Sequence, residues 1–437
     1  MTSIIPTTEA AVLEQVAPVP HNRFPCFDGL RAIAALAVVV YHVTTVYNIE
    51  TLHYDTWQWT QRLGNFGVST FFLISGFLLY RPYVTAHFAD RPTPRLLSFW
   101  GRRALRIYPG YWVALTVAVY GIALTRIGSF ELFYSDYLLL QNYRAGLTLN
   151  GLGVEWTLVI EVSFYLALPA IAWLFRSLNR PGASARAKLG VQLSGLAAMY
   201  MLAIAVRVWR LWVLSKPTLN DLKGGDWFPI HQVGQWLIGY LDWFALGMLL
   251  AVGSAWVANG GRLPMLGRAL ARYPAASWLI SLTCFWVALQ LNTPESIYAK
   301  VTRTQDFGIA FLYGLVAFFL IFPAVFGDQG RGRIRGFLQT RILTSLGLVS
   351  FGIYLWHIIW VQQLKVWVRD GTIGANIWLW FAVVLALTLT TATASYFWVE
   401  RPAIRLSHRW WPGGSGPAAS VPVPIADLGV NAAEVNA

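Results

Sequence analysis

The chain has 437 residues, 56% of them hydrophobic and 15% aromatic, while only 12% carry charge; the formal net charge is +13. Soluble domains carry about twice that charged fraction, so the composition excludes a soluble protein built on a large core and points to a polytopic membrane protein. In a soluble chain so basic a balance would suggest nucleic acid. Here the placement of arginine and lysine around the apolar runs has to be read first.

Residues 1–24 mix Thr, Pro, Glu and Ala, with no basic segment leading into an apolar one. They read as a disordered cytoplasmic arm rather than a signal peptide, so the first span is expected to act as its own insertion signal. Runs long enough to cross a bilayer, about 20 apolar residues each, follow at roughly 28–47, 67–87, 108–128, 153–175, 189–213, 233–255, 275–292, 307–327, 343–366 and 375–397. The fifth carries Arg207 and Arg210 and the seventh is short, which makes these two the weakest. Residues 130–141 read as an extra amphipathic or re-entrant piece. With the N-terminus in the cytosol, the arginine-rich stretches around Arg102, Arg176, Arg268 and Arg333 all fall inside, as the positive-inside rule requires. The expected fold is therefore all-α, a polytopic transmembrane helix bundle of about ten spans with both termini cytoplasmic, set in the plasma (inner) membrane. Residues 25–402 form this domain, and the Pro-, Gly- and Ala-rich 403–437 a disordered cytoplasmic tail.

The first span, "DGLRAIAALAVVVYHV", carries Asp28, Arg31 and His42. Charged groups at membrane depth cost several kcal/mol unless paired or facing a watery cavity, so they are functional suspects. Arg31 and His42 stand eleven residues apart, about three turns, on nearly one face and roughly 16 Å apart along the axis. Two readings compete. In one, Asp28 caps the helix, Arg31 snorkels to the inner surface and His42 is a buried hydrogen-bonding residue. In the other, Arg31 lines an inner vestibule for an anion, with His42 as general base deeper in.

"GRRALRIYPGYW" sets Arg102, Arg103 and Arg106 at the cytosolic mouth of the third span. It is either a positive-inside anchor or a phosphate clamp, since guanidinium forks match phosphate. "GVEWTLVIEVSFYLALP" places Glu155 at the outer edge of the fourth span and Glu161 deeper, where Glu161 can orient His42 or hold an acceptor hydroxyl. Ser75-Gly76 lacks the context of a nucleophile elbow and reads as small-residue helix packing. His357 lies in the ninth span with no assigned role, and Glu400 beside Arg401 reads as structural. Cys26 and Cys284 match no metal or redox spacing, and no His-Glu-x-x-His, Walker or dinucleotide motif is found. No metal site and no permanently bound cofactor are expected.

Together these pieces resemble the integral-membrane acyltransferase 3 family, which includes O-antigen acetylases, nodulation-factor acetylases and macrolide acyltransferases. The stretches that carry the resemblance run in the family's order from about residue 25 to 402: "FDGLRAIAALAVVVYHV" with its Arg-x10-His, "FFLISGFLL", "RRALRIYPGYW", "EWTLVIEVSFYLALP", "LDWFALGMLLA", "SFGIYLWH" and "WVERP". The resemblance implies a ten-span bundle, an acyl-CoA donor on the cytosolic side, with acetyl the family's commonest cargo, and a hydroxyl acceptor, usually on a sugar. It puts the family's essential histidine on His42 with Arg31 as partner, the Arg-x-x-Arg pair on Arg103 and Arg106, and the acidic position on Glu161, with Thr157 where the family usually has Ser. Members with a fused SGNH-type hydrolase domain are longer, so a second transfer step is expected to need another protein. The expected partners are thus acyl-CoA as co-substrate, a sugar or lipid-linked hydroxyl acceptor and membrane lipid, with no nucleic acid. On this reading His42 deprotonates the acceptor hydroxyl, which attacks the thioester; an acyl-imidazole intermediate is a variant. A transporter or exporter of acylated metabolites is the rival, against which stand the absence of an inverted-repeat pattern and of paired broken helices.

Overall fold

A computed structural model describes residues 24–51, 58–125, 127–144, 147, 151–213, 233–291 and 303–411. The predicted arm up to residue 23 and the tail beyond 411 lie outside the described residues. Among the described residues the secondary structure is helical, with no strand. Each predicted apolar run falls on a helix. In chain order these are α1 Cys26–Thr51, α2 Leu63–Phe88, α3 Leu96–Thr116, α4 Phe130–Tyr137, α5 Trp156–Ser177, α6 Ala185–Val213, α7 Leu241–Ala258 and α8 Met265–Arg272. They continue as α9 Pro274–Gln290, α10 Arg303–Val325, α11 Arg333–Leu338, α12 Arg341–Leu348, α13 Ser350–Arg369, α14 Ile377–Ser395 and α15 Arg401–Trp410.

Seven helical segments among the described residues are long and apolar enough to cross a bilayer, and α12 with α13, bent by 71°, makes an eighth if the pair is one span. The two remaining predicted spans coincide with α3, which carries Arg102, Arg103 and Arg106, and with α9, which has 17 residues. Three boundaries differ from the sequence reading. The third helix starts at Leu96, so its arginines sit within the helix rather than at its mouth. The extra piece near residue 130 is the short helix α4, whose N-cap Ser129 side chain accepts from the Leu132 N–H. The segment assigned to the tail begins as helix α15.

The bundle is organised around α1 and α2. α1 packs on α2, α10, α12, α13 and α14, and α2 packs on α1, α5, α7 and α10. A helix surrounded in this way is apolar on most sides rather than on one stripe, and α1 presents small buried residues, Ala32, Ala34, Ala35 and Ala37, to its neighbours. The α2–α7 contact is backbone to backbone. A Cβ on Gly76 would lie 2.6 Å from the Phe244 carbonyl oxygen, and one on Gly247 would run into the Leu73 carbonyl. Small residues permit that approach where lipid gives helices no hydrophobic reason to associate.

Of the two arginines in the fifth span, Arg207 has a structural explanation. Its Nη1 donates to Asp242 Oδ2 at 2.6 Å, and its Nη2 donates to Asp242 Oδ1 at 3.1 Å and to the Gly239 carbonyl at 2.8 Å. Asp242 is 1% exposed. A bidentate buried pair of this kind fixes α6 against α7, and removing one partner strands the other charge.

Two stability outcomes follow from this packing. Arg207→Met should destabilise by about 3–5 kcal/mol, read as a lower unfolding midpoint in detergent, and adding Asp242→Leu should recover much of the loss; a single variant as stable as wild type would contradict the pairing. Gly247→Ala should lower the midpoint, whereas Gly190→Ala, where among the described residues no atom beyond its own helix turn lies within 4 Å of the added Cβ, should leave it unchanged or raise it slightly through helix propensity.

Candidate active site

A cavity of about 170 Å³ opens between α1, α2, α3, α5 and α13. Its polar lining comes from residues far apart in sequence: Asp28 and Arg31 on α1, Ser75 on α2, Arg103 and Arg106 on α3, Thr157, Glu161 and Tyr165 on α5, and Ser350 and Tyr354 on α13. Three of the sequence-predicted residues, Arg31, Arg103 and Arg106, therefore meet around one space, and Glu161 joins them. Arg102 does not. Its Nη1 donates to the Trp411 carbonyl at 3.3 Å, which fastens α3 to the end of α15.

Within the cavity the charges are arranged unevenly. Arg31 reaches Asp28 Oδ1 at 3.4 Å, one helical turn back. Glu161 Oε1 accepts from Ser75 Oγ and from the Tyr165 hydroxyl, each at 2.5 Å. The Arg103 guanidinium lies 5.9 Å from the Tyr165 ring centroid, a cation–π distance. Among the described residues its buried Nε has no hydrogen-bond partner. Three guanidinium groups against two carboxylates leave the cavity with an excess of positive charge and an unspent donor, a combination suited to an anion.

Deeper along α1, His42 meets His357 of α13. His42 Nδ1 is 3.0 Å from the Val38 carbonyl and 3.2 Å from His357 Nε2, and His357 Nδ1 is 3.0 Å from the Ile353 carbonyl. His357 is fully buried, while His42 keeps accessible surface. His42 is not among the residues lining the cavity. Tyr354 bridges the two regions: its hydroxyl donates to the Val154 carbonyl at 2.9 Å and lies 2.6 Å from Thr157 Oγ1, and its ring centroid is 5.8 Å from that of His357. The Thr157 hydroxyl, which replaces the serine that the resemblance implies, is thus engaged.

The expectation that Glu161 orients the His42 imidazole is not met. The ring partner of His42 is His357, and the Glu161 Oε1 is held by Ser75 and Tyr165. Glu155 is not at an exposed interface either: it is fully buried at the start of α5, where its Oε1 accepts from the Leu152 N–H at 2.7 Å. Glu400 is buried beside Gly110 and accepts from Ser395 Oγ at 3.2 Å. Ser75, read from the sequence with Gly76 as helix packing, instead lines the cavity and donates to Glu161, while Tyr165, Tyr354 and the partnership of His357 were not read from the sequence. Only Tyr165 left a local signal, four residues after Glu161 and so on its helical face.

The family model described as an acyltransferase domain matches residues 24–397. The chain belongs to this acyltransferase family, and its apolar helices make it a multi-pass membrane protein. It is 25% identical over 412 residues to nodulation protein 10 of Rhizobium leguminosarum bv. viciae, covering 87% of this chain and 93% of that protein. It is also 21% identical over 425 residues to the O-acetyltransferase OatA of Staphylococcus aureus strain NCTC 8325 / PS 47, covering 86% of this chain but 57% of that protein. The chain therefore spans little more than half the length of OatA. No solved structure matches it significantly.

Proposed function

We propose that this acyltransferase moves an acyl group, acetyl by preference, from cytosolic acyl-CoA to a hydroxyl of a cell-envelope glycan, glycolipid or glycosylated metabolite, with the inner membrane as its site. The O-acetyltransferase relative supports oxygen as the acceptor atom. One observation carries the donor reading: Arg31, Arg103 and Arg106 converge on one cavity, and the buried Nε of Arg103 has no partner among the described residues. CoA is anionic at its nucleotide end and neutral along its pantetheine arm, so phosphates held by these guanidiniums would send the thioester inward along α1. The cavity is smaller than the roughly 300–1,000 Å³ of pockets for drug-sized ligands. It has room for only part of the donor, so in this scheme the phosphates sit at the arginines and the nucleotide lies outside on the cytosolic side.

His42 is the base in this scheme. The Val38 carbonyl can only accept, so the ring proton sits on Nδ1 and the lone pair on Nε2. Nε2 takes the proton of the acceptor hydroxyl as its oxygen attacks the thioester carbonyl. The carbon–sulfur bond then breaks, and the departing thiolate receives that proton from Nε2, giving the ester and free CoA. Glu161, held by Ser75 and Tyr165 among the arginines, balances their charge and sets the width of the donor channel.

In membranes given labelled acetyl-CoA with a lipid and glycan extract, His42→Ala should lose about 10²–10⁴-fold in transfer rate, and CoA release should fall with it. Full transfer by this variant would remove His42 from the chemistry. Label crossing the membrane without CoA release would instead mark a transporter. Arg103→Gln should raise the donor KM about ten- to a hundredfold, the worth of a lost charge-assisted hydrogen bond, whereas Arg102→Gln should change it less than about twofold, since Arg102 faces α15. Equal effects of the two variants would mean that the basic cluster acts only as a diffuse charge.

A further inference from the structure

We propose that His357 is the positioning residue of the His42 base: it accepts the Nδ1 proton of His42 and so aims the Nε2 lone pair at the acceptor hydroxyl. The inference rests on the reading of His42 as base, and it goes beyond that reading by assigning a role to the buried imidazole opposite. The hydrogen-bond chemistry leaves one consistent arrangement. Ile353 offers only a carbonyl oxygen to His357 Nδ1 at 3.0 Å, so that nitrogen carries a proton and His357 Nε2 presents a lone pair. This lone pair faces His42 Nδ1 at 3.2 Å, whose proton is already directed at the Val38 carbonyl at 3.0 Å. His42 Nδ1–H is therefore shared between two acceptors on two different helices. A carbonyl four residues back on its own helix leaves a ring free to tilt; a second acceptor fixed on α13 does not.

The place of His357 argues for a built feature rather than incidental packing. Its side chain is fully buried, and α13 is held on α1 at both ends. At one end a Cβ on Gly347 would run into the Asp28 carbonyl, just before α13 begins. At the other, Arg369 gives two 2.8 Å hydrogen bonds to the Glu50 carboxylate at the end of α1. The register of the two helices, and hence the His42–His357 distance, is pinned from outside the pair. When Nε2 takes the acceptor's proton, the imidazolium carries positive charge on Nδ1–H, and the bond to His357 Nε2 becomes charge-assisted and stronger. His357 thus favours the state formed as the hydroxyl is deprotonated. No proton leaves His42 through it, and the one on Nε2 goes on to the CoA thiolate.

The test uses the full chain in membranes, with labelled acetyl-CoA, a lipid and glycan extract, and the variants His357→Gln, His357→Leu and His357→Asn. The donor KM and kcat are measured, together with the carbethoxylation of His42 by diethyl pyrocarbonate, followed on its peptide by mass spectrometry. His357→Leu and His357→Asn should lower kcat ten- to a hundredfold with donor KM within about twofold, and should slow modification of His42. His357→Gln, whose side-chain carbonyl can reach the same proton, should restore most of both. A leucine variant as active as wild type overturns the proposal. So does a glutamine variant as impaired as the asparagine one, since a role in packing alone would not distinguish them by reach. If leucine prevents folding, the glutamine–asparagine comparison decides alone. Failure of the base reading itself appears separately, as full activity in His42→Ala.

Discussion

The site depends on how closely α11 and α12, which lead into α13, approach α1. Gly29 lies against the Leu338 carbonyl and Gly347 against the Asp28 carbonyl, contacts that a side chain at either position would block. This approach accompanies the 71° bend between α12 and α13. The bend turns Ser350, Phe351 and Tyr354 toward the cavity and lays His357 against His42. A straight helix over the same residues would point these side chains along a different line. Helix packing through small residues is well suited to such a task in a membrane, because dispersion and geometry, rather than exclusion of water, hold the elements together.

The same packing settles the electrostatics. Ionisable groups at membrane depth are tolerated when the protein supplies a partner or a wet cavity, and the chain uses both. Arg207 is neutralised by Asp242 with bidentate geometry and reads as architecture. Arg31, Arg103 and Arg106 instead face a cavity, with Glu161 and Asp28 as partial counter-charges. The two settings differ: the Arg207 fork is spent on Asp242, while Arg103 keeps a buried donor without a partner among the described residues. The proposed chemistry then divides along α1, with anion binding at Arg31 and proton transfer three turns further on at His42.

Much of the architecture was legible in the chain itself. The ten apolar runs each correspond to a helix, because a length of about 20 apolar residues is a requirement of the bilayer rather than of any particular neighbour. The Arg-x10-His spacing on α1, the Arg103–Arg106 pair and the depth of Glu161 follow from helical periodicity in the same way. Boundaries were less legible where polar residues interrupt the pattern. α3 begins twelve residues before its apolar run because arginine stems are compatible with a helix that emerges from the membrane. The bend after α12 left no apolar signature, since Leu348 and Val349 continue the hydrophobic run across it.

The sequence by itself determined the class of protein, the helical elements and the residue types able to bind an anion and move a proton, because these rest on composition and on spacing within single helices. Only the tertiary structure decided which of those residues meet. It separated Arg102 from Arg103, gave Glu161 to Ser75 and Tyr165 rather than to His42, and paired His42 with His357 across 315 positions of chain. The physical reason is that hydrogen bonds and ion pairs between helices are set by crossing angle, register and close glycine contacts, and none of these is written in the periodicity of one helix alone.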